Sequence, residues 1–328
     1  MFWTPILDTA KPHYRRITKE LSLMPKIASP IRPLADVNVI PQKEGSYEIV
    51  ACFMPDPVLI VGEGNSKAML ALDASASLRS EYGYGGAFGG TPNFVELVAR
   101  KVGALLTEVT KTGLATGIYW AVSHDGSQLE EIGEFDETGW SQVAITGPRK
   151  NVWGKGTKLL PALRYCVEKI AKEADWTMGV FITDGVIEDE KECLNFCLKI
   201  GKEIAAGKRH PIKLILIGVG KQIDKGQLER FDDMFEGTDL QVDLWSTGIA
   251  YSMREETDIL NVLYGELIDE NTIVAPLGDV RDSQGNLLAS WTDGLPGKFR
   301  FKLPKGETQF VITAGEHTIV QDISEVVV

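Results

Sequence analysis

The sequence predicts an α/β fold: a doubly wound, mostly parallel sheet, with a small accessory β module contributed by the N- and C-terminal flanks. Three observations carry that prediction. From Ala68 to residue 270, short apolar runs alternate with amphipathic helical segments, the pattern of strands covered on both faces by crossover helices. After Asn271 the helical period vanishes and strand patterns with turn signals return. A chain of 328 residues with 44% hydrophobic content is long enough for one large core and a smaller one. The expected division is a flank over 1–67, a main domain over 68–270, and a β segment over 271–328 that pairs with the first flank.

In the N-terminal flank, Pro5, Pro12, Pro25, Pro33 and Pro41 leave only Tyr14–Leu23 suited to a helix. Tyr47–Val61 is rich in β-formers and bounded by Glu44-Gly45-Ser46 and Gly62-Glu63-Gly64-Asn65, so it reads as one or two strands. Main-domain strands are expected at Ala68–Leu72, Gly117–Val122, Met178–Thr183, Lys213–Gly218 and Val242–Trp245, with a weaker one at Gln142–Ile145. Helices are expected near Asn93–Lys111, Lys158–Ala174, Asp189–Ala206, Gln227–Phe235 and Glu255–Ile268. The first opens on Thr91-Pro92, a cap residue followed by proline. In the last segment, Phe299–Leu303 alternates apolar with charged residues, and Thr308–Thr313 and His317–Ile323 follow as further strands. A piece this short makes a poor core alone, which is why it is paired with Tyr47–Val61.

Charge and cysteine usage narrow the function. Lys plus Arg number 34 against 46 Asp plus Glu, a formal charge of -12, the wrong sign for neutralising phosphate backbones, so neither nucleic acid nor an anionic membrane is expected as partner. Cys52, Cys166, Cys193 and Cys197 lack CxxC spacing, the four histidines are scattered, and the thiols read as reduced core residues. No run of apolar residues is long enough to span a membrane, and the start of the chain has the reverse of a secretory charge order. The cytoplasm is the expected location.

The candidate site lies where strands end. Ala68–Leu72 runs into Asp73-Ala74-Ser75-Ala76-Ser77, setting three oxygen-bearing side chains at the carboxyl edge of the sheet, where ligands of open α/β sheets bind. That motif is weak alone. Two more elements strengthen it: Asn151-Val-Trp-Gly-Lys-Gly-Thr157, which puts a threonine after two glycines and before a helix, and Phe181-Ile-Thr-Asp184-Gly185, which ends another buried strand on a carboxylate. Hydroxyls and carboxylates without thiol or imidazole make a hard oxygen site, suited to Mg²⁺ or Mn²⁺.

With these motifs the sequence resembles the von Willebrand factor A family of the bacterial cytoplasmic type. Its metal ion-dependent adhesion site consists of D-x-S-x-S, a downstream threonine and an aspartate. The matching residues are Asp73, Ser75, Ser77, Thr157 and Asp184, within a resemblance covering Ala68 to Asp269. The resemblance implies a central sheet with the metal at its carboxyl edge, and a metal-dependent protein-binding adaptor that takes an Asp or Glu carboxylate from its partner. It further implies a place in a multiprotein assembly, with a MoxR-type AAA+ ATPase as one partner of this kind.

Each residue also has a plainer reading. Asp73, Ser75, Ser77 and Asp184 suit ordinary turns, and Thr157 suits a helix N-cap; it is the set in order that favours a metal. The glycine-rich stretch Gly83–Gly90 reads as a loop beside the site, either featureless or contacting the ligand, and in the second case Tyr82 and Tyr84 are its contact residues. Arg149, Lys150, Lys155 and Lys158 form either a solvated face or a rim that steers an acidic partner. The alternative function is a Mg²⁺-dependent phosphohydrolase on a related sheet. Ser75 replaces the second carboxylate of a D-x-D motif, and no nucleophile with a paired base stands in the site, so a non-enzymatic protein is expected.

Overall fold

The structure, a computed structural model, describes residues 33–54, 64–84, 92–220, 223–240, 242–250 and 272–327, together with Ile27, Pro30, Ile31, Met253, Ile259, Leu260 and Leu263. Tyr14–Leu23, most of Gly83–Gly90, and most of Glu255–Ile268 lie outside the described residues. The chain divides into two units, one formed by Met1–Met54 with Ile268–Val328 and the other by Pro55–Leu267.

The first unit begins with β1 (Leu34–Pro41) and β2 (Tyr47–Phe53), an antiparallel hairpin closed by the turn at Gly45. Val37, Val39, Ile49 and Ala51 are buried in it. Its remaining strands come after the second unit in the chain and are described below.

The second unit is built on one six-stranded sheet. In chain order its elements are β3 (Ser66–Asp73), α1 (Phe94–Glu108), β4 (Ala115–Val122), β5 (Gln128–Phe135), α2 (Glu137–Gln142), α3 (Leu160–Arg164), β6 (Trp176–Thr183), α4 (Glu190–Ala205), β7 (Ile212–Val219), α5 (Lys225–Asp232) and β8 (Trp245–Ala250). The sheet order is β5-β4-β3-β6-β7-β8. All neighbours are parallel except β4 and β5. Met69 and Ala71 of β3 enter one apolar cluster with Trp120, Phe181, Leu216 and Trp245. Leu70 and Leu72, pointing the other way by the period of two, are also buried. Burial of each such large side chain contributes about 1.5–3 kcal/mol. The helix that follows α3 continues through a π turn at Tyr165–Lys169 and a 3₁₀ turn at Ile170–Glu173.

Several local expectations change. The strand expected at Val242–Trp245 begins at Trp245 and runs to Ala250, and α1 is capped by Asn93, whose side chain accepts the Glu96 amide at 2.9 Å, in place of the expected opening on Thr91-Pro92. Gln128–Phe135, which has no apolar run, is the antiparallel edge strand β5 and is half-exposed along its length. Gln142–Ile145 is not a strand. Its backbone groups are taken by side chains of the α1 region: Arg100 Nε donates to the Val143 carbonyl at 3.0 Å, the Ile145 amide donates to Glu96 Oε2 at 2.9 Å, and Asn93 Nδ2 donates to the Ile145 carbonyl at 2.7 Å. No ladder is needed to satisfy them.

The first unit resumes with β9 (Ile273–Ala275), β10 (Gly278–Arg281), β11 (Leu287–Trp291), β12 (Leu295–Pro296), β13 (Lys298–Leu303), β14 (Gln309–Ala314) and β15 (His317–Asp322). These give three sheets of order β1-β2-β13, β11-β10-β14-β15 and β12-β9, every pairing antiparallel. β13 pairs with β2 from Lys298 opposite Cys52 to Leu303 opposite Tyr47. The alternation of β13 leaves Phe299, Phe301 and Leu303 buried and Arg300 and Lys302 exposed.

The fold class is thereby corrected. Strand makes up 37% of the described residues and helix 26%, and three of the four sheets are small and antiparallel. The chain is β-rich with several antiparallel sheets, in place of a doubly wound α/β fold carrying a minor β appendage. The reason is physical: strands such as Gly278–Arg281 are too short and too mixed in polarity to announce themselves, so the flanks looked poorer in strand than they are.

Candidate functional site

Parallel pairing of β3 with β6 brings their carboxyl ends together, and with them Asp73 and the Thr183-Asp184 step. Asp73 closes β3 and is 1% exposed. Its Oδ1 accepts the Ser75 amide at 2.6 Å, and its Oδ2 accepts the Thr183 hydroxyl at 2.6 Å. The Ser75 and Ser77 hydroxyl oxygens lie 2.9 Å apart, and Ser77 donates to Asp184 Oδ1 at 2.8 Å.

The third loop is stitched to the first by backbone. The Ala76 amide donates to the Gly154 carbonyl at 2.7 Å and the Gly154 amide to the Ala74 carbonyl at 3.1 Å. Thr157 is buried, and its carbonyl accepts the Glu188 amide at 3.0 Å. A methyl group placed on Gly185 would stand 3.3 Å from Thr157 Oγ1, so that hydroxyl sits beside the Asp184 turn. The structure therefore brings Asp73, Ser75, Ser77, Thr157 and Asp184 together from three separate loops.

Charge is held under tension there. Burial pushes the Asp73 carboxyl up to about 7, with the nearby charge of Asp184 adding to the effect, while the hydrogen bonds from Thr183 and Ser75 oppose it. Burial also raises Asp184, and the charge of Glu81 raises it further. Glu81 Oε2 is itself buried without a hydrogen-bond partner among the described residues. Asp73 is thus buried and Asp184 half-buried beside the charge of Glu81, although the three carboxylates do not themselves form a metal-holding group and the donor set depends on the hydroxyls of Ser75, Ser77 and Thr157. No Lys, Arg or His pairs with any of them among the described residues. A hard cation fits such a donor set, because it would supply the missing positive charge.

Several residues serve the site that sequence reasoning did not assign. Thr183 holds Asp73; its only signal was a threonine ending an apolar strand. Glu81 gave none. Asp189, expected as the start of a helix, makes no side-chain cap to α4. Its carboxylate instead accepts the Leu159 and Leu160 amides at 2.8 and 2.9 Å, at the head of α3 just past Thr157.

The expected contact residues fare differently. Tyr82 is buried and donates its hydroxyl to the Asp73 carbonyl at 2.9 Å, so it props the loop and offers no outward surface. Tyr84 is half-buried against Trp153, with the Arg79 guanidinium 5.5 Å from its ring. Arg149, Lys150 and Lys155 are exposed, Arg149 in an ion pair with Glu130. Lys158 pairs with Asp125 at 3.3 Å. All four cysteines are buried, and none forms a disulfide among the described residues.

No family model matches the chain, and no curated protein matches it. Among solved structures it is similar to the PilB minor pilin from Streptococcus sanguinis, at 13% identity and a TM-score of 0.40, over 70% of this chain and 78% of that one. A mutant of the same pilin gives 12% identity and a TM-score of 0.40, over 74% and 81%. The pilus adhesin RrgA from Streptococcus pneumoniae gives 8% and 0.36, over 89% and 65%. With TM-scores below 0.5, these likenesses carry no property across to this chain.

The expectation of von Willebrand factor A membership is corrected. No family model supports it, and no group of three or more His, Cys, Asp or Glu residues is placed to hold a metal among the described residues. The family's adhesion-site label and its magnesium assignment fall with it. Among the described residues no helix is long and apolar enough to cross a membrane.

Proposed function

We propose that this chain is a protein-binding module whose working surface is the oxygen-rich cluster at the carboxyl ends of β3 and β6, completed by a divalent cation. The carrying observation is the pair of like charges formed by buried Asp73 and half-buried Asp184, joined through Ser77 and Ser75 and with Glu81 nearby, without a cationic side chain among the described residues to offset them. Leaving such charge unpaired in a buried place is costly, and a bound ion removes the cost. Ser75, Ser77 and Thr157 would offer neutral oxygens, and Asp73 and Asp184 would offer charge. When bound, the ion supplies an acceptor for one further anionic oxygen, such as an Asp or Glu carboxylate of a partner protein. Thr183 and Tyr82 keep the Asp73 loop in place, and exposed Lys155 adds weak attraction at the rim. Four buried thiols without a disulfide among the described residues suit a reducing compartment, which favours the cytoplasm.

The test is direct titration of Mn²⁺ by calorimetry, with thermal melts in the ion and in EDTA. Binding heat and a raised melting temperature are expected, because the cluster exists only in the folded chain. Glu81→Gln should weaken binding, and capture of a partner from native lysate should be lost in EDTA and in Thr157→Ala. Absence of both heat and melting shift would remove the cation from the proposal.

A further inference from the structure

Between β4 and β5 runs the turn Ser123–Ser127, which the sequence offers no reason to connect with the site. We propose that this turn is the template that places Thr157, with Gly126 and Asp125 as positioning residues; the inference rests on the cation-site reading for its functional meaning. The turn follows the segment Val152–Lys158 along its length. The Ser123 amide donates to the Val152 carbonyl at 3.2 Å, Val122 bridges Trp153, and the Lys155 amide donates to the His124 carbonyl at 3.2 Å. Lys158, next to Thr157, donates to Asp125 Oδ2 at 3.3 Å. Asp125 is itself fixed by the Ser123 and Ser127 hydroxyls at 2.7 and 2.8 Å, which hold its carboxyl well below the usual range.

The closest approach is between glycines. Gly126 has φ +68°, and a Cβ there would stand 1.9 Å from the Gly156 carbonyl oxygen. A Cβ on Gly154 would stand 2.1 Å from the Ala121 carbonyl oxygen. The end of β4 is bent to make this fit: Ala121 at φ 55° and Ser123 at φ 77° both adopt left-handed conformations that side chains resist. Strain of this kind persists only where surrounding contacts hold it, and here those contacts are with the loop that carries Thr157.

A control exists within the same unit. Gly113 has φ +66°, and a Cβ there would meet nothing within 4 Å, so Gly113→Ala strains the backbone as Gly126→Ala does without touching the loop. Amide hydrogen exchange of Gly154, Lys155, Gly156 and Thr157, and Mn²⁺ affinity, are measured in the full chain for both variants. In Gly126→Ala, affinity should fall about tenfold or more, as for groups that orient metal ligands. Exchange in the loop should rise by about tenfold. Gly113→Ala should leave both at wild-type values. Equal behaviour of the two variants would overturn the template. Should Gly126→Ala fail to fold, Asp125→Ala, at an exposed position, should speed loop exchange and weaken Mn²⁺ in the same direction, and no change in either overturns the inference. If the wild-type chain binds no Mn²⁺, the cation reading falls and loop exchange alone decides the template.

Discussion

Asp73 at the end of β3 and Asp282 in the turn after β10 are both nearly covered, at 1% and 5% exposure, yet their surroundings treat the charge in opposite ways. Asp282 accepts the Gln284 and Asn286 amides and the Asn286 side chain, at 2.8 to 2.9 Å. Those bonds hold its carboxyl below the ordinary carboxylate value. Everything it needs lies within four residues. Asp73 takes one bond from its own loop and one from Thr183, 110 residues away, and faces the like charge of Asp184. A turn aspartate is complete in itself, whereas Asp73 is left with charge that no cationic side chain among the described residues offsets. On the proposed cation reading, that difference separates a structural aspartate from a binding one.

The largest effect should come from removing the unmatched charge. Asp73→Ala should abolish the cation-dependent rise in melting temperature, a loss in Mn²⁺ affinity of about a hundredfold or more, while Asp282→Ala leaves ion binding unchanged. Equal ion binding in wild type and Asp73→Ala, measured by calorimetry, would erase the contrast.

Next in size is the pH dependence of the cation-free chain. The Asp73 carboxyl is raised from 3.8 to about 7, so the folded state holds a proton that the unfolded state has already released. Its contribution is present in full below the ordinary value and lost as pH rises towards 7, on the order of a few kcal/mol. Melts in EDTA should therefore fall between pH 4 and about 7, and Asp73→Asn should flatten that slope. Asp282 has the opposite sign: its contribution is present above the ordinary value and is lost as pH falls through its lowered one.

Thr183→Val should act more modestly. Deleting the hydroxyl leaves Asp73 Oδ2 without its donor and should cost about 1–3 kcal/mol at pH 8, less at pH 5 where the carboxyl is protonated. A carboxyl titration followed by NMR should show Asp73 displaced further upward. Smallest is Asp282→Ala, which should lower the melting of the first unit by a few degrees and leave exchange in the second untouched.

What the sequence determined alone is local in nature. The apolar runs at Ala68–Leu72, Met178–Thr183 and Lys213–Gly218 are strands, and the helical period around Phe94 and Cys193 marks α1 and α4, because burial imposes a period on neighbouring residues. The strand-end positions of Asp73, Ser75, Ser77 and Asp184 were readable for the same reason. Tertiary structure decided the rest. Gln128–Phe135 becomes a strand through pairing with β4, since its own residues have no apolar face to declare it. Gln142–Ile145 is denied a strand by Glu96 and Arg100, some 40 to 50 residues away. The predominance of antiparallel sheet emerges from short flanking strands that find partners only after the chain returns past residue 272. The family suggested by five residues did not survive comparison, because a motif fixes spacing and says nothing of the rest of the chain. Thr183, Glu81, Asp189 and Gly126 take their roles from contacts across loops, and no periodicity or spacing in a single sequence records which loops will meet.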